Sequence, residues 1–571
     1  MSRIEYDVLF VGGGPASLSA AHRLVDLSLK NGGKIKIAIL EKGKDFGNHS
    51  LSGAVSNPRS IKKLFPDYKE QGFPVEGVCS SSYLTLLGLK RSWNIPSPFS
   101  PPEMNKKGYL ILSLSNVTSW MALKLEEKVK DNTDVIVDLY RGFPATEVVY
   151  EGEKIVGVQV DNTGNPEKDN CYAGVTVFGD RGFLSKDIIK KFNLANSSQT
   201  WAVGVKEVWD VANDYSGKVW HTLGYPLLDG TFGGGFIYGL SDKKLAIGLV
   251  AGLDSENPSL RPPQLLQNLK KHPMIQKMLK GGKISRYGAS VIPEAGYYAL
   301  PSKFALDGAM IIGDALGVMD IKGFSGVDKA MESGMTAAEV LYDAVQKRDY
   351  SGATLGNFKI KLMSESWVGP ELNRSRYYRW TFHEMKELLS DILPSFLKRM
   401  DSVGPYLGGI LTLLGDPGIA GKGLSALRLM NGMADKGEIK YAEDHIQNRA
   451  DYKAKGEVEP GGYNKSTVYS TADIVFYAHT HYHEGNRHID EFSVEVCRKC
   501  IGKFSASGNS VPCVGDCTAE VHEILDSGGE KSHHMNLENC VQCRTCEIVC
   551  PEQNLRVNPA LHGSGPDFNG L

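Results

Sequence analysis

The chain is poor in cysteine over most of its length. Of its ten cysteines only Cys79 and Cys171 precede position 497, and the other eight follow within one terminal segment. A secreted scaffold held by disulfides would be short and cysteine-dense throughout, so this distribution excludes that class of protein. Eight thiols gathered at one end of a cysteine-poor chain indicate metal ligation in a reducing compartment.

Excess charge and long apolar runs are also missing. Lysine and arginine number 64 against 66 aspartates and glutamates, a net charge of −2, so no basic field is available to hold nucleic acid. No run reaches the ~18–20 apolar residues that span a bilayer. The first residues, MSRIEYDVLFVGGG, show neither a basic segment nor a cleavage site. We therefore expect no signal or transit peptide, and an intracellular protein whose membrane contact is peripheral.

A glycine turn near the start of the chain predicts a dinucleotide site. The stretch YDVLFVGGGPASLSAAHRL has an apolar strand, then three glycines, then a helical pattern. Gly12 permits a tight turn, and Gly14 lets the backbone approach a pyrophosphate, which the N-terminus of the next helix stabilises. Ser17 stands where such motifs usually have a further glycine. Glu41, at the end of the second predicted strand, is placed to accept hydrogen bonds from a ribose.

Two later stretches favour FAD over NAD as the dinucleotide. GAMIIGDALGVMDIKGFSGVDKAMESGMTAAEVL has a strand ending in Gly313 and Asp314, a loop, and a long helix that begins near Gly326. It resembles the second flavin motif of two-dinucleotide-type flavoproteins, in which the aspartate meets the ribityl chain. YAGVTVFGDRGFLSKDII, with Gly179 and Asp180, supplies the intervening strand and turn expected of that fold.

The terminal cysteines have the spacing of iron–sulfur ligands. ENCVQCRTCEIVCPEQN reads C-x2-C-x2-C-x3-C-P, a ferredoxin-type run whose fourth cysteine normally ligates a different cluster from the first three. CRKCIGKFSASGNSVPCVGDC, upstream, has the same order with a longer second gap. The pairing rule of two-cluster ferredoxins then gives a first quartet, Cys517, Cys540, Cys543 and Cys546, and a second quartet, Cys497, Cys500, Cys513 and Cys550.

A single-cluster alternative stays open at this point. Zinc also binds four cysteines and often uses paired C-x2-C units. The upstream cysteines could therefore hold a structural zinc ion, or nothing, beside one [4Fe–4S] cluster. The C-P ending and the 2-2-3 spacing favour iron–sulfur for the downstream four.

The chain resembles the electron-transfer flavoprotein:quinone oxidoreductase family along nearly its whole length. The matching passages include VGGGPASLSAA, NHSLSGAVSNPRSIKKLFPDY, HTLGYPLLDGTFGGGFIYGL, KGFSGVDKAMESGMTAAE and NCVQCRTC. The resemblance implies FAD, a [4Fe–4S] cluster on the first quartet, electron-transfer flavoprotein as partner, and a membrane quinone at Gly233 and Gly234. A backbone contact of this kind does not distinguish ubiquinone from menaquinone. The predicted FAD residues are Gly12, Gly13, Gly14, Pro15, Ala16, Ser17, Glu41, Lys42, Ser52, Gly53, Gly313, Asp314 and Gly326.

Three features depart from the better-known mitochondrial members of the family. The pair Gly313-Asp314 is a more ordinary flavin motif than theirs, the cysteines of the second quartet are additional, and no transit peptide is seen. A second cluster would lengthen the electron path, so the electron-donating partner could differ. We expect a protein on the cytoplasmic side of the inner or cell membrane.

A monotopic membrane contact is expected because the tail of a quinone lies in lipid. EMKELLSDILPSFLKRM, residues 384–400, places apolar residues on one helical stripe, although such a helix more often covers a core. RSRYYRW, just before it, mixes arginines with aromatic residues as at a headgroup boundary. The resemblance places one membrane-dipping segment here and another over 47–68.

The predicted fold class is α/β with α+β parts. A two-dinucleotide-type Rossmann domain for FAD is interleaved with a quinone-binding sheet domain and followed by a ferredoxin-like iron–sulfur domain. The expected ranges are 1–75, 140–195 and 300–350 for the FAD domain, 76–139 and 196–299 for the quinone domain, 351–435 for a helical, membrane-facing section, and 436–571 for the ferredoxin-like domain.

The predicted function is electron transfer from reduced electron-transfer flavoprotein, through the cluster or clusters and FAD, to a membrane quinone that becomes quinol. No residue is expected to act as a general acid or nucleophile, because the cofactors carry the chemistry. One alternative is a flavin-dependent geranylgeranyl or polyprenyl lipid reductase, which shares the N-terminal architecture. Another is an electron-relay subunit of an electron-bifurcating flavoprotein complex.

Overall fold

The computed structural model describes most of the chain. The described residues are 6–53, 55–96, 100–160, 169–376, 378, 397–399, 401–402, 448–453, 459–460 and 462–571. Most of the membrane-facing section predicted over 351–435 lies outside them, including nearly all of 384–400. Among the described residues, no helix is both long enough and apolar enough to cross a bilayer.

The secondary structure alternates between strands and helices. The described strands are β1 (Tyr6–Val11), β2 (Ile35–Glu41), β3 (Val55–Ser56), β4 (Gly77–Val78), β5 (Ser81–Leu87), β6 (Ser92–Asn94), β7 (Leu110–Ile111), β8 (Val135–Arg141), β9 (Ala145–Glu151), β10 (Lys154–Val160), β11 (Asp169–Phe178), β12 (Trp201–Asp210), β13 (Lys218–Gly224), β14 (Gly233–Gly239), β15 (Lys244–Gly252), β16 (Lys283–Pro293), β17 (Ala305–Leu306), β18 (Ala309–Ile311), β19 (Ile489–Glu491), β20 (His522–Ser527), β21 (Glu530–Met535) and β22 (Leu555–Val557). The described α-helices are α1 (Pro15–Asn31), α2 (Arg59–Leu64), α3 (Leu114–Val129), α4 (Ser185–Lys191), α5 (Pro262–Lys271), α6 (Pro273–Leu279), α7 (Val327–Lys347), α8 (Gly352–Leu355), α9 (Asn357–Ile360), α10 (Val368–Ser375), α11 (Thr471–Val475), α12 (Val494–Ala506), α13 (Pro512–Gly515) and α14 (Thr545–Val549).

An eight-stranded sheet forms the first core. Its strands lie in the order β17, β18, β11, β1, β2, β8, and the β9–β10 hairpin joins through β11. The neighbours from β18 to β8 all pair in parallel, as in a doubly wound dinucleotide fold. Strands β1 and β2 are almost continuously apolar because both faces of such a sheet are covered.

Helices α1 and α7 cross at very short range, and their crossing joins the two flavin-type motifs. A Cβ atom at Gly334 of α7 would lie 2.0 Å from the carbonyl oxygen of Ala16, so only glycine fits there. Ala16 belongs to the first turn of α1. A Cβ atom at Gly313 would come within 2.8 Å of the Ala16 methyl group. Backbone contact therefore holds the two motifs side by side.

A seven-stranded sheet forms the second core. Its order is β16, β12, β15, β14, β13, β5, β6, and all neighbours are antiparallel except β13 and β5. Helix α5 packs on β12 and β15. Its Lys270 forms a 2.8 Å ion pair with Glu207 of β12, and both side chains are fully buried.

The division between the two cores differs from the predicted ranges at one place. Helix α3 packs against α1 and β8, and β8 pairs in parallel with β2, so 114–141 belongs to the eight-stranded sheet. The predicted boundary between 139 and 140 falls inside β8. This strand reads VIVDLYR and is mostly half-exposed, so it lacks the continuous apolar run that marks a central parallel strand.

The segment 47–68, expected to dip into a membrane, is part of the first core. Its large apolar side chains Ile61, Phe65 and Tyr68 are buried. The ring of Phe65 lies 4.9 Å from His22 and 5.0 Å from Trp120 between centroids. These side chains therefore present no apolar face to lipid.

The C-terminal module, which carries the eight clustered cysteines, packs against both cores. Strands β20 and β21 form a hairpin, and β19 pairs with β22. Arg449 and Asp516, both fully buried, form a 2.9 Å ion pair, and Arg449 also donates to the carbonyl of Leu253 after β15. At the end of the chain, the N–H of Phe568 donates to the carbonyl of Asn48 at 2.7 Å. The module is thereby fixed to both sheets.

Candidate active site

A long cavity lies between the two sheets. The glycine turn after β1 forms one wall, and β12, β14 and β16 of the seven-stranded sheet form the other. All the predicted FAD residues except Ser17 line this cavity, and so do Gly233 and Gly234. Ser17 lies behind the wall, where its hydroxyl would be 2.5 Å from a Cβ atom at Gly179. One cavity therefore joins the predicted flavin and quinone sites.

The three glycines of the first motif have different reasons to be glycine. Gly12 has φ +91°, and a Cβ atom there would lie 2.8 Å from the carbonyl oxygen of Gly179. A Cβ atom at Gly13 would overlap the ring of Phe46 at 2.4 Å, whereas one at Gly14 would meet nothing within 4 Å. Gly14 precedes α1, whose first turn holds no acidic residue. The open space before this helix N-terminus suits a pyrophosphate.

Glu41 is held at the end of β2 by two backbone N–H groups. Its Oε2 accepts from Gly13 at 3.0 Å and its Oε1 from Gly43 at 2.7 Å. Burial raises the pKa of Glu41, and these N–H groups and Lys42 oppose the shift. A carboxylate has about four acceptor sites, so lone pairs remain for a ribose diol.

Arg181 connects the two walls of the cavity. It follows β11, and its Nη2 donates to the hydroxyl of Ser290 on β16 at 2.6 Å. Its Nη1 donates to the carbonyl of His49 at 3.3 Å. Burial raises the pKa of Asp314, and the charge of Arg181 opposes that shift. The predicted ribityl aspartate therefore has a cationic neighbour in the cavity.

The two glycines predicted to contact the quinone are also required by close packing against the neighbouring strands. Gly233 has φ +147°, and a Cβ atom there would lie 2.0 Å from the carbonyl oxygen of Val250. A Cβ atom at Gly234 would lie 2.4 Å from the carbonyl oxygen of Thr222. Close strand packing therefore explains both glycines without a ligand, although both line the cavity.

A buried polar atom without a partner lies at the same end of the cavity. Within the described part of the chain, His221 Nδ1 has no hydrogen-bond partner. The Nε2 of His221 is 3.1 Å from the Tyr238 hydroxyl, and burial lowers the pKa of His221 to about 3. Lys206, on the same wall, donates to the carbonyl of Ser52 at 3.1 Å, and burial lowers its pKa to about 8. The unpaired nitrogen of His221 suits a ligand that presents an oxygen atom.

The first quartet gathers beside this cavity. Three of its thiols are buried and Cys517 is partly buried. Burial raises the pKa of Cys540 to about 12 and that of Cys517 to about 11, and the neighbouring Cys543 thiol adds to both shifts. Thiols of this kind become thiolates when they bind a metal. Thr518 Oγ1 donates to Cys543 Sγ at 3.1 Å, a bond that stabilises negative charge on a ligating sulfur.

The thiols are too widely spaced for a zinc ion. Tetrahedral zinc, with Zn–S bonds of about 2.3 Å, holds its sulfurs about 3.8 Å apart. Among the described residues, which include all eight terminal cysteines, no three thiols lie within 4.8 Å of one another. The described thiols therefore form no preformed mononuclear zinc site.

The cysteine loop touches the cavity wall directly. The N–H of Val291 donates to the carbonyl of Cys543 at 3.3 Å. Arg544 donates from Nη1 to the carbonyl of Arg181 at 2.6 Å. Val291 and Arg181 both line the cavity. The first quartet is therefore one hydrogen bond from the wall of the predicted flavin site.

Comparison with known families matches both the cavity and the cysteine module. Residues 201–292 match the family described as ETF-QO, ubiquinone-binding, a range that contains Gly233 and Gly234. Residues 468–569 match the one described as electron transfer flavoprotein-ubiquinone oxidoreductase, 4Fe-4S, which contains both quartets.

Curated relatives match over the full length. The electron transfer flavoprotein-ubiquinone oxidoreductase of Pseudomonas aeruginosa is 31% identical, over 100% of this chain and 99% of its own. The mitochondrial proteins of that name from Arabidopsis thaliana and Mus musculus are each 32% identical over 99% of this chain, and over 84% and 89% of their own lengths. The chain belongs to the electron transfer flavoprotein-ubiquinone oxidoreductase family. The predicted family is confirmed, and the chain is an oxidoreductase.

A solved structure supports the fold of this family member. A geranylgeranyl bacteriochlorophyll reductase-like protein from Thermoplasma acidophilum superposes with a TM-score of 0.54, over 74% of this chain and 99% of its own, at 16% identity. That likeness concerns the fold alone. With the family matches it confirms the predicted fold class, and FAD and a [4Fe–4S] cluster as cofactors.

The sequence reasoning missed the residues that join the cysteine module to the flavin side. Arg181 follows the turn after β11, and Arg544 stands between two cysteines of the first quartet. Neither belongs to a binding motif. Thr518, directly after Cys517, was missed as well. These residues could have been found from the sequence, because each has a cationic or hydroxyl side chain and directly follows a residue of a predicted binding motif.

Proposed function

We propose that this family member transfers electrons from reduced electron-transfer flavoprotein, through its [4Fe–4S] cluster and FAD, to a membrane quinone that becomes quinol. The observation that carries the proposal is the hydrogen bond from Val291 to Cys543, because it joins the cluster loop to the cavity that both flavin motifs line. The names of the full-length relatives support the same donor and acceptor.

FAD is proposed to extend along the cavity from Gly14 to Asp314. The space before Gly14 would take the pyrophosphate, and Glu41 would accept from the ribose. Asp314 would face the ribityl chain, next to Arg181. We expect the predicted FAD residues that line the cavity to contact the cofactor. Ser17 lies behind the cavity wall and packs against Gly179.

Bound FAD links one-electron transfer to the two-electron reduction of quinone. The role of the protein is to position FAD next to the cluster and to supply positive charge. Arg544 is buried beside the first quartet, and its Nη1 bonds to Arg181 on the cavity wall. The Arg544 guanidinium therefore lies between the first quartet and the cavity wall, where its positive charge would stabilise negative charge that arrives with an electron.

The quinone head group is proposed to contact the backbone of Gly233 and Gly234. His221 Nδ1 would bond one of its oxygens, since this atom has no partner among the described residues. If His221 Nε2 accepts from the Tyr238 hydroxyl, its Nδ1 carries the proton and can donate.

Peripheral attachment to the cytoplasmic side of the membrane is part of the proposal, because a long-tailed quinone reaches the cavity from lipid. The apolar stripe of residues 384–400 is the candidate contact. Flotation with anionic liposomes tests it: the intact chain should float, and Leu388→Glu combined with Leu389→Glu should stay at the bottom. Equal flotation of both would exclude this stretch as the membrane contact.

The test of function is steady-state reduction of a short-tailed quinone by reduced electron-transfer flavoprotein. The holoprotein should turn over, and His221→Phe should raise the KM for quinone by the loss of one hydrogen bond, about 0.5–1.5 kcal/mol. Thr222→Val is the matched control, because the hydroxyl of this neighbouring residue lies on the opposite face of the strand, beside Leu269, and the KM should not change. No quinone reduction, together with reduction of an isoprenoid double bond, would establish the lipid reductase alternative. Flavin reduction without quinone reduction would favour a relay subunit.

A further inference from the structure

We propose that the second quartet binds a second four-iron cluster. Cys497 and Cys500 lie one turn apart on α12, so both thiols face the same side. Cys513 lies on α13, and Cys550 directly follows α14. All four line one small cavity whose remaining wall is largely apolar, with Val496, Ile501, Val511, Ile524 and Leu555. Three elements thus bring four thiols to one place.

Asn554 supports two of these ligands. Its backbone N–H donates to Cys550 Sγ at 3.2 Å, and its Nδ2 donates to Cys497 Sγ at 3.1 Å. The same Nδ2 bonds to the carbonyl of Ser493, the N-cap residue of α12, at 2.7 Å. N–H donors of this kind orient cluster thiolates and tune their charge.

The two quartets are interlocked. Cys513 and Cys517 are four residues apart at one short helix, and Cys546 and Cys550 are four apart at another. Each pair gives one ligand to each quartet. Helices α13 and α14 pack against each other, so the two quartets lie side by side.

A mononuclear zinc site is the rival for these thiols. Cys513, His522 and His533 have ligand atoms within 4.8 Å of one another, and so do Glu491, Cys497 and His533. Both sets need His533. Its two ring nitrogens are already engaged, with Glu491 Oε2 at 2.5 Å and His522 Nδ1 at 2.9 Å. Zinc would therefore break a hydrogen bond and leave at least two of the four cysteines without metal.

The position of the second quartet gives it a role in the electron path, a step that rests on the proposed function. Cys497 and Cys550 are partly exposed, whereas the first quartet bonds to the cavity wall through Cys543. One electron leaves the reduced flavoprotein donor for the outer site and moves on to the inner one. Two such transfers carry the two electrons that, with two protons from water, convert quinone to quinol.

The decisive experiment is metal analysis of the full-length holoprotein purified without oxygen. We expect about eight irons and about eight sulfides per FAD, with no zinc. Cys497→Ser combined with Cys500→Ser should fall to about four irons at unchanged FAD, while Cys171→Ser stays at about eight. The EPR spectrum of the dithionite-reduced protein should show magnetic interaction between clusters, which the double variant loses.

About four irons in the wild-type protein, or one zinc per chain, overturns the proposal. The wild-type count decides the matter even if the double variant does not fold. Failure here is distinct from failure of the proposed function, because a four-iron protein that reduces quinone rejects the second cluster alone. An eight-iron protein that does not reduce quinone keeps the site and rejects its assigned role.

Discussion

The Nη1 of Arg544 lies 2.6 Å from the carbonyl oxygen of Arg181, 363 residues away in the chain. Arg544 is buried, and it also pairs with Glu547 at 3.1 Å. Its guanidinium is 5.1 Å from the centroid of Phe183, which lines the cavity. This hydrogen bond therefore holds the cysteine loop against the flavin side of the molecule.

Replacement of Arg544 should loosen that junction. Arg544→Met removes a charge-assisted hydrogen bond, which is worth about 1.5–3 kcal/mol. We expect a lower melting temperature and slower flavin reduction by electron-transfer flavoprotein, at unchanged FAD and iron content. Thermal melting and stopped-flow absorbance measure the two effects.

Arg556→Met is the matched control. Arg556 bridges the same two parts of the molecule by a 2.8 Å ion pair with Asp187, but both side chains are at least one-third exposed. Such pairs are worth about 0–1 kcal/mol, so flavin reduction should stay near the wild-type rate. Equal slowing in the two variants would mean that docking in general, and not the Arg544 contact, sets the rate.

Gly14→Val should expel FAD without unfolding the chain. Gly14 has extended backbone that any residue adopts, and a Cβ atom there meets nothing within 4 Å. An added side chain enters only the space proposed for the pyrophosphate. Overpacking costs about 1–3 kcal/mol, which lowers the affinity for FAD by a factor of about 5 to about 150. FAD titration of the apoprotein measures the loss.

The controls for this variant come from the same turn. Gly14→Ala should show a smaller loss of FAD affinity. Gly12→Ala should lower the melting temperature of the apoprotein, because Gly12 has φ +91° and a Cβ atom there would contact Gly179 at 2.8 Å. If Gly14→Val bound FAD like the wild type, the pyrophosphate could not lie at this helix N-terminus.

Thr518→Val should lower the reduction potential of the first-quartet cluster. The variant keeps the shape of the side chain but removes one hydroxyl donor to Cys543 Sγ, while Thr545 Oγ1 stays 3.3 Å from the same sulfur. A reduced cluster gains more from such a donor than an oxidised one. A differential of about 1.4 kcal/mol corresponds to about 59 mV for one electron. EPR-monitored titration gives the potential, and Thr518→Ser, which retains the hydroxyl, should stay within a few millivolts of wild type. An unchanged potential in Thr518→Val would show that this hydroxyl does not act on the cluster.

The sequence predicted the parts of the molecule that depend on local spacing. The glycine turn from Gly12, the Gly313-Asp314 motif and the eight cysteines each place ligands by chain geometry over a few residues. The structure brings each of these sets together. Their positions could be read because a turn, a helix start or a C-x2-C unit is determined by neighbours along the chain.

Contacts between segments that are far apart in the sequence could not be predicted from local spacing. Strand β8 joins the eight-stranded sheet by parallel pairing with β2, although its sequence is half polar. Gly233 and Gly234 are glycine because Val250 and Thr222 pack against them, which no local motif records. The Arg544–Arg181 bond likewise depends on how the domains pack. Tertiary packing determines these features, and it is also the reason that the boundary between the two sheets differs from the predicted one at β8.

The buried pair Lys270–Glu207 gives a prediction about stability alone. Glu207 accepts from Lys270 at 2.8 Å, from Gln267 at 2.8 Å and from Trp209 at 2.7 Å, and both charged side chains are fully buried. Lys270→Met leaves a buried carboxylate without its counter-charge, which costs about 3–5 kcal/mol. Calorimetry of the holoprotein should show a clear fall in melting temperature.

Two further variants separate lost charge pairing from lost packing. Glu207→Gln added to Lys270→Met removes the unpaired charge, so the double variant should melt above the single one although it lacks both partners. Lys124→Met breaks an ion pair with Glu127, whose side chain is 52% exposed. This variant should change the melting temperature little. If the double variant melted no higher than Lys270→Met, the cost would come from the missing lysine side chain itself, and the core under β12 would depend on packing and not on charge.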